Sequence, residues 1–311
     1  MDTEISTYVS NCASLAALLE VSAYPKPGNI HRLSDLPETS YEHFLAGGVA
    51  LGSVMGKLAD RVYKTRDYSG VRLGEAIREG VEEMFQWQRG GNTHLGIILL
   101  FAPLSAGAGA ALSNGPLEVE GLRKYTKEII SGATPQDSVN IYAAIDRAMS
   151  SENLGSVDEL DVKNRNSSER IIREKITPLK VFELCREKDM ICREWVTGFS
   201  TVFETGYPTL RKRIKEGASI KDTTIDTFLK ILSENPDSLI MRKMGIEAAK
   251  QVSEKARRII EAGGSENEAG NRMLWSLDEE LKKENGKLNP GTTADLTAAS
   301  LFVLVLSGWR P

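Results

Sequence analysis

The chain has 311 residues, of which 41% are hydrophobic and 26% charged. These are ordinary values for a globular protein with room for a large core. A net charge of -4 at pH 7 speaks against a general nucleic-acid binder, and Met1-Asp2-Thr3-Glu4 lacks the basic start of a signal peptide.

Apolar residues from Ile5 to Leu19 step by three and four, which predicts an amphipathic helix ending before Pro25 and Pro27. Tyr41 to Leu58 and Gly74 to Gln88 read as further helices. Thr93 opens an apolar helix that Pro103 is expected to break or kink. Leu117 to Ile130 follows, and Thr134-Pro135 is a strong helix start. Ser150 to Ser168 is polar and reads as a long loop, either a lid or plain surface. Helices are expected again over Glu169–Glu174, Pro178–Glu204, Pro208–Lys215, Lys221–Ser233, Ser238–Ala262, Glu266–Glu284 and Thr292–Leu306. No stretch shows sustained period-two alternation, so the fold class is all-α. Length suggests about two domains, but no linker demands a split, and a single multi-helix domain over 1–311 is expected.

The apolar runs Ile97–Leu112 and Ala298–Ser307 are shorter than the ~18–20 residues of a membrane span and read as buried helices. Cys12, Cys185 and Cys192 form neither a zinc pattern nor a disulfide framework. They read as buried small side chains in a reducing, cytoplasmic setting. The run Arg211-Lys212-Arg213-Lys215 reads as a solvated face.

Three motifs carry the functional signal: Pro25-Lys26-Pro27-Gly28-Asn29-Ile30-His31-Arg32, Gly90-Gly91-Asn92-Thr93-His94-Leu95-Gly96, and Asn289-Pro290-Gly291-Thr292-Thr293-Ala294-Asp295. Each joins Gly or Pro to small polar groups and is expected to stand where a helix begins. Helix starts offer free N–H groups and a positive dipole end, which hold anions. Capping alone accounts for Asn92 and Thr93, and a first-turn carboxylate accounts for Asp295. Three such turns together suggest one phosphate-handling cleft.

Lys26-Pro27-Gly28, Asn92-Thr93-His94-x-Gly96 and Pro290-Gly291-x-x-Ala294-Asp295-Leu296, in that order, resemble the triphosphoribosyl-dephospho-CoA synthase family. Two further stretches agree. Asp189 with Gly198-Phe199 and Val202-Phe203-Glu204-x-Gly206-x-Pro208 is similar to the family's central segment, and Asp237-Ser238-Leu239-Ile240-Met241-Arg242 to its Asp-Thr-x-x-x-Arg element. The chain differs in having His31 where the family has Asp, an altered Leu33–Thr39 stretch, and Leu95 where Lys is usual.

The resemblance implies an all-α transferase that joins ATP to 3′-dephospho-CoA and releases adenine. It implies Mg²⁺ held by one or two carboxylates and phosphate oxygens, for which Asp237 and Asp295 are the candidates, as metal ligands or as base. His94 is the candidate acid. Lys26, Gly28, Asn29, His31, Arg32, Asn92, Thr93, Gly96, Arg242, Gly291 and Thr292 are the candidate nucleotide contacts, and Asp189 is a weaker site candidate. The expected partners are small nucleotides, with no nucleic acid, no membrane and room for a homo-oligomer. Two alternatives stay open. One is the same ATP frame acting on another acceptor, such as a pterin-type cofactor precursor. The other is a non-catalytic helical nucleotide-binding protein.

Overall fold

The computed structural model describes residues 2–149 and 167–311. The first helix, α1 (Asp2–Ser22), buries Val9, Cys12, Ala13, Ala16 and Ala17 on one stripe. It stops as the chain turns toward Pro25 and Pro27, whose missing N–H groups cannot extend it. The second, α2 (Tyr41–Thr65), packs on α1 through glycines. Gly48 faces Ala17 and Leu18, Gly52 faces Ser10 and Ser14, and Gly56 faces Ser6. A Cβ on Gly56 would lie 2.3 Å from the Ser6 carbonyl, so only Gly permits this spacing.

Next come α3 (Leu73–Trp87), α4 (Leu95–Ser113), α5 (Val119–Ser131) and α6 (Pro135–Ala148). Thr134 caps α6 as its sequence predicts, accepting from the Asp137 N–H while Asp137 accepts from Thr134. Beyond the undescribed stretch stand α7 (Ser167–Arg173), α8 (Pro178–Cys185), α9 (Met190–Thr197), a π-helical turn (Thr201–Gly206) and α10 (Tyr207–Lys215). The chain ends with α11 (Ile220–Glu234), α12 (Ser238–Met244), α13 (Ile246–Glu261), α14 (Glu268–Lys282) and α15 (Gly291–Leu306). Among the described residues no strand forms, only the isolated bridges His31–Ser34 and Leu36–Thr39. The all-α expectation holds.

Several local expectations are corrected. Pro103 does not end α4, which runs on to Ser113. Its 19 residues make it long and apolar enough to cross a membrane, yet 89% of that stretch is buried against other helices of the protein. The helix expected over Pro178–Glu204 is three pieces: it breaks after Cys185 and again at Gly198, whose φ of +68° ends α9. Ser238–Ala262 divides at Gly245, where φ is +85°. The first break turns the chain back so that Cys185 and Cys192, with Cα atoms 5.9 Å apart, are joined by a disulfide. The unpaired reading of these two cysteines is therefore overturned, and with it their support for a reducing compartment. The expected Ser150–Ser168 loop falls outside the described residues, except Ser167 and Ser168, which are helical. In the basic run Arg211, Lys212 and Lys215 are exposed, whereas Arg213 is drawn into ion pairs with Glu216, Asp226 and Glu266.

Helix direction decides where the motifs meet. Gly96 lies against Asp295, and Phe101 stacks on Phe302 with ring centroids 4.4 Å apart, so α4 and α15 run parallel. Gly47 meets His94 and Gly109 meets Ala59, so α2 is parallel to α4. Tyr8 Oη donates to the Leu306 carbonyl, so α1 is antiparallel to α15. The N-termini of α2, α4 and α15 thus share one end of the bundle with the C-terminus of α1. Two apolar clusters support this arrangement. The larger joins α1 through α6 to α15, and the smaller lies among α11, α13 and α14.

Candidate functional site

Asp295 stands at the centre of that end. Because α15 begins at Gly291, Asp295 lies in its second turn, and the first-turn dipole explanation is set aside. Its carboxyl presses against Gly96: a Cβ there would fall 1.9 Å from Oδ2. The second and third motifs therefore touch, and Gly96 is glycine for the sake of Asp295. Asp295 is partly exposed, and no described residue donates a hydrogen bond to it. Burial holds its carboxyl well above the usual carboxylate range, reinforced by the charges of Glu20, Asp237 and Asp189 and opposed by Arg242.

Lys26 does not project toward solvent for phosphate. It is fully buried and ion-paired with Glu20, itself buried in the last turn of α1. Burial pulls the ammonium down, while Glu20, then Asp295 and Tyr41, favour its charge. The first motif thus reaches the site as a fixed buried charge. It is not at a helix start, as expected, but in the turns between α1 and α2.

His94 is buried, with its ring against Gly47 and 5.2 Å from the Phe44 ring. Burial pushes its pKa down to about 3, so the imidazole is neutral near pH 7. A neutral imidazole bears on the reading of His94 as the candidate acid, because it holds no extra proton to give. Nδ1 shares a 2.7 Å hydrogen bond with Thr93 Oγ1, and Nε2 has no partner among the described residues. Asn92 is exposed and accepts from the Leu95 N–H at 3.0 Å, the capping role. Leu95 itself is core.

Asp237, a candidate metal ligand and base, is engaged on both oxygens by protein donors. Oδ1 accepts from the Leu239 and Ile240 N–H groups, capping α12, and Oδ2 accepts from Thr293 N–H and Oγ1 at 2.7 and 2.8 Å. Four donors occupy both oxygens, so Asp237 is a clasp between α12 and the start of α15. Thr292 is likewise tied, its Oγ1 accepting from Ser238 at 3.0 Å. Gly291 lies beside Leu239, where a Cβ would come within 2.7 Å of that side chain. Arg242 pairs with Asp189, which also caps α9, and both act on the charge of Asp295.

Part of the first motif faces elsewhere. His31 donates from Nε2 to Asp278 at 3.2 Å, its Nδ1 accepting from Leu33 N–H, and the Gly28 N–H donates to the same carboxylate at 3.0 Å. Lys282 completes this buried cluster on α14. Gly28 takes φ of +71° with no room for a Cβ beside Leu281. His31 and Gly28 thus anchor the turn, Asn29 is buried within it, and Arg32 is exposed.

Sequence reasoning missed Glu20, Gly47 and Gln88. Glu20 had a signal: it continues the buried stripe of Ala13, Ala16 and Ala17, and an acid there opposes the α1 dipole.

A profile for the CitG family, ATP:dephospho-CoA triphosphoribosyl transferase, matches residues 6–311. The chain belongs to this family. It is 26% identical over 302 residues to a protein of Stutzerimonas stutzeri (strain A1501) named as a probable 2-(5″-triphosphoribosyl)-3′-dephosphocoenzyme-A synthase, covering 95% of this chain and 90% of that one. A protein of the same name from Pseudomonas syringae pv. tomato is 26% identical, over 93% and 87% of the two chains. A crystal structure from Archaeoglobus fulgidus, described as a triphosphoribosyl-dephospho-CoA synthase, shares the fold at TM-score 0.61 and 23% identity, over 84% of this chain and all of that one.

The transferase offers Mg²⁺ one suitable side chain at this end. Among the described residues no group of three metal-ligating side chains forms. Asp237 has no oxygen to spare, whereas Asp295 is unbonded and lies in a field of three other carboxylates. That fits a cation held chiefly by phosphate oxygens with one protein carboxylate. A separate cleft of about 510 Å³ lies at the opposite end of α15, lined by residues including Leu117, Tyr207, Arg211 and Trp309.

Proposed function

We propose that this transferase moves the triphosphoribosyl group of ATP onto 3′-dephospho-CoA and releases adenine, with Mg²⁺ present. The observation that carries the reading is the meeting of the α4 and α15 N-termini, with the Asp295 carboxyl against Gly96. Two parallel helices direct positive dipole ends at one place, where a triphosphate gains from both. Arg242 keeps guanidinium donors beyond its pair with Asp189 for phosphate oxygens. Asp295 would hold Mg²⁺, which when bound offsets triphosphate charge. Gly96 leaves room for the Asp295 carboxyl between the two helix starts, and the buried Glu20–Lys26 pair keeps the floor rigid and charged without net excess.

In the reaction the bond from ribose C1′ to adenine breaks, and a bond from C1′ to an acceptor hydroxyl oxygen forms. The hydroxyl loses a proton and adenine gains one, so the exchange is proton-neutral. The ribose carbon passes through an oxocarbenium-like state, which negative carboxyl groups stabilise.

Incubation with ATP, Mg²⁺ and dephospho-CoA, followed by chromatography, is expected to yield free adenine in step with acceptor consumed. Adenine released only with another acceptor would keep glycosyl transfer and reassign the acceptor. ADP or phosphate as product would reject the reading.

A further inference from the structure

Gln88 follows α3 and stays buried at the turn bearing Gly90 and Gly91. Two backbone groups fix its carboxamide. Oε1 accepts from the Gly90 N–H, and Nε2 donates to the Gly91 carbonyl at 2.7 Å. Reversing the amide would set donor against donor and oxygen against oxygen, so one orientation remains. Nε2 then directs its other hydrogen to Thr93 Oγ1 at 3.5 Å. A hydroxyl that accepts there keeps its own proton for the next group, which is His94 Nδ1 at 2.7 Å. An accepting Nδ1 places the imidazole hydrogen on Nε2.

That Nε2–H is buried without a partner among the described residues. It lies by Gly48, where a Cβ would sit 3.7 Å from Nε2 and 3.4 Å from Ala17 and Leu18 side chains. An orphaned buried donor is costly, and natural sites keep one where a ligand completes it.

We propose that Gln88 is a positioning residue of the transferase: through Thr93 it holds His94 as the neutral Nε2–H tautomer, a hydrogen-bond donor to a lone-pair acceptor of the bound nucleotide. This rests on the nucleotide reading above. It replaces proton delivery by His94 with hydrogen bonding from a group that stays uncharged.

The test is ¹⁵N NMR of the full chain labelled at its histidines, of which there are three, together with adenine-release kinetics. His94 is expected to carry hydrogen on Nε2. ATP should shift that signal. Adenosine doing so alone would place the acceptor on the nucleoside, and inorganic triphosphate doing so alone would place it on phosphate. In Gln88→Glu the carboxylate cannot donate to Thr93 and instead accepts a hydrogen bond from its hydroxyl, so His94 should switch to the Nδ1–H tautomer, with kcat falling ~10–100-fold, as for lost outer-shell partners, and KM changing less. Thr93→Ser should keep tautomer and kcat, and Thr93→Val should lose both. Hydrogen on Nδ1 in the wild type, an unchanged tautomer in Gln88→Glu, or no response to any of the three ligands would overturn the proposal. Predicted tautomers in an enzyme that releases no adenine would uphold the relay and reject the transfer reading.

Discussion

Lys26→Met is expected to destabilise the protein by ~3–5 kcal/mol, the cost of leaving one buried charge without its partner. Lys26 and Glu20 are both inaccessible to water, so removing the ammonium strands the Glu20 carboxylate with Asp295 nearby. Urea unfolding should show the loss as a lower midpoint at an unchanged slope. The pair also makes a signed prediction. Glu20→Leu combined with Lys26→Met removes both charges and should recover much of the stability, because an apolar pair of similar volume often replaces a buried ion pair at little cost. The double variant should still turn over poorly if the charge matters to the site. A single variant as stable as the wild type would show that the pair is not an ion pair in solution.

Asp295→Asn should have the largest effect on turnover, about 100-fold or more in kcat/KM. Charge stabilisation by a metal is worth several kcal/mol, and each ~1.4 kcal/mol is tenfold. The fold should tolerate the change, because a neutral amide relieves a carboxyl already opposed by Glu20, Asp237 and Asp189. The thermal shift given by Mg²⁺-ATP should shrink as well. In the wild type that shift should grow as pH rises, because the Asp295 carboxyl is held up and Mg²⁺ must displace its proton. Asp237→Asn is the contrast. It should lower stability through the α12–α15 clasp, since an amide nitrogen would face the Thr293 N–H. An Asp295→Asn variant with undiminished turnover and an unchanged Mg²⁺-ATP shift would remove the metal assignment.

The helical fold was legible because its period repeats along the chain. What failed were breaks set by single residues. Gly198 and Gly245 take left-handed φ, which no periodicity reports, and Pro103 is tolerated where a long buried helix continues around it. Lys26, Gly96 and Asp295 were legible as a set, because glycines and charged groups recurred before apolar runs. Their individual roles were not. A lysine expected to reach phosphate lies buried beside Glu20, and Asp237 spends its oxygens on capping α12 and on Thr293, 56 residues further on, because the packing of the helices decides what each side chain meets. His31 shows the same limit: Asp278, on a helix near the other end of the sequence, claims it for the turn. Glu20 was readable from its place on a buried stripe. Gln88 was not, because its meaning depends on amide orientation in a turn.

The central claim is that nucleotide binds where the N-termini of α2, α4 and α15 gather, and not in the cleft at the far end of α15. Photolabelling with an azido-purine ATP analogue in the presence of Mg²⁺, followed by peptide mapping, tests it directly. Label protected by excess ATP should fall on peptides around Gln88–Gly96 and Asn289–Asp295. Protected label on the segments around Leu117–Glu120, Tyr207–Lys215 and Trp309 would contradict it.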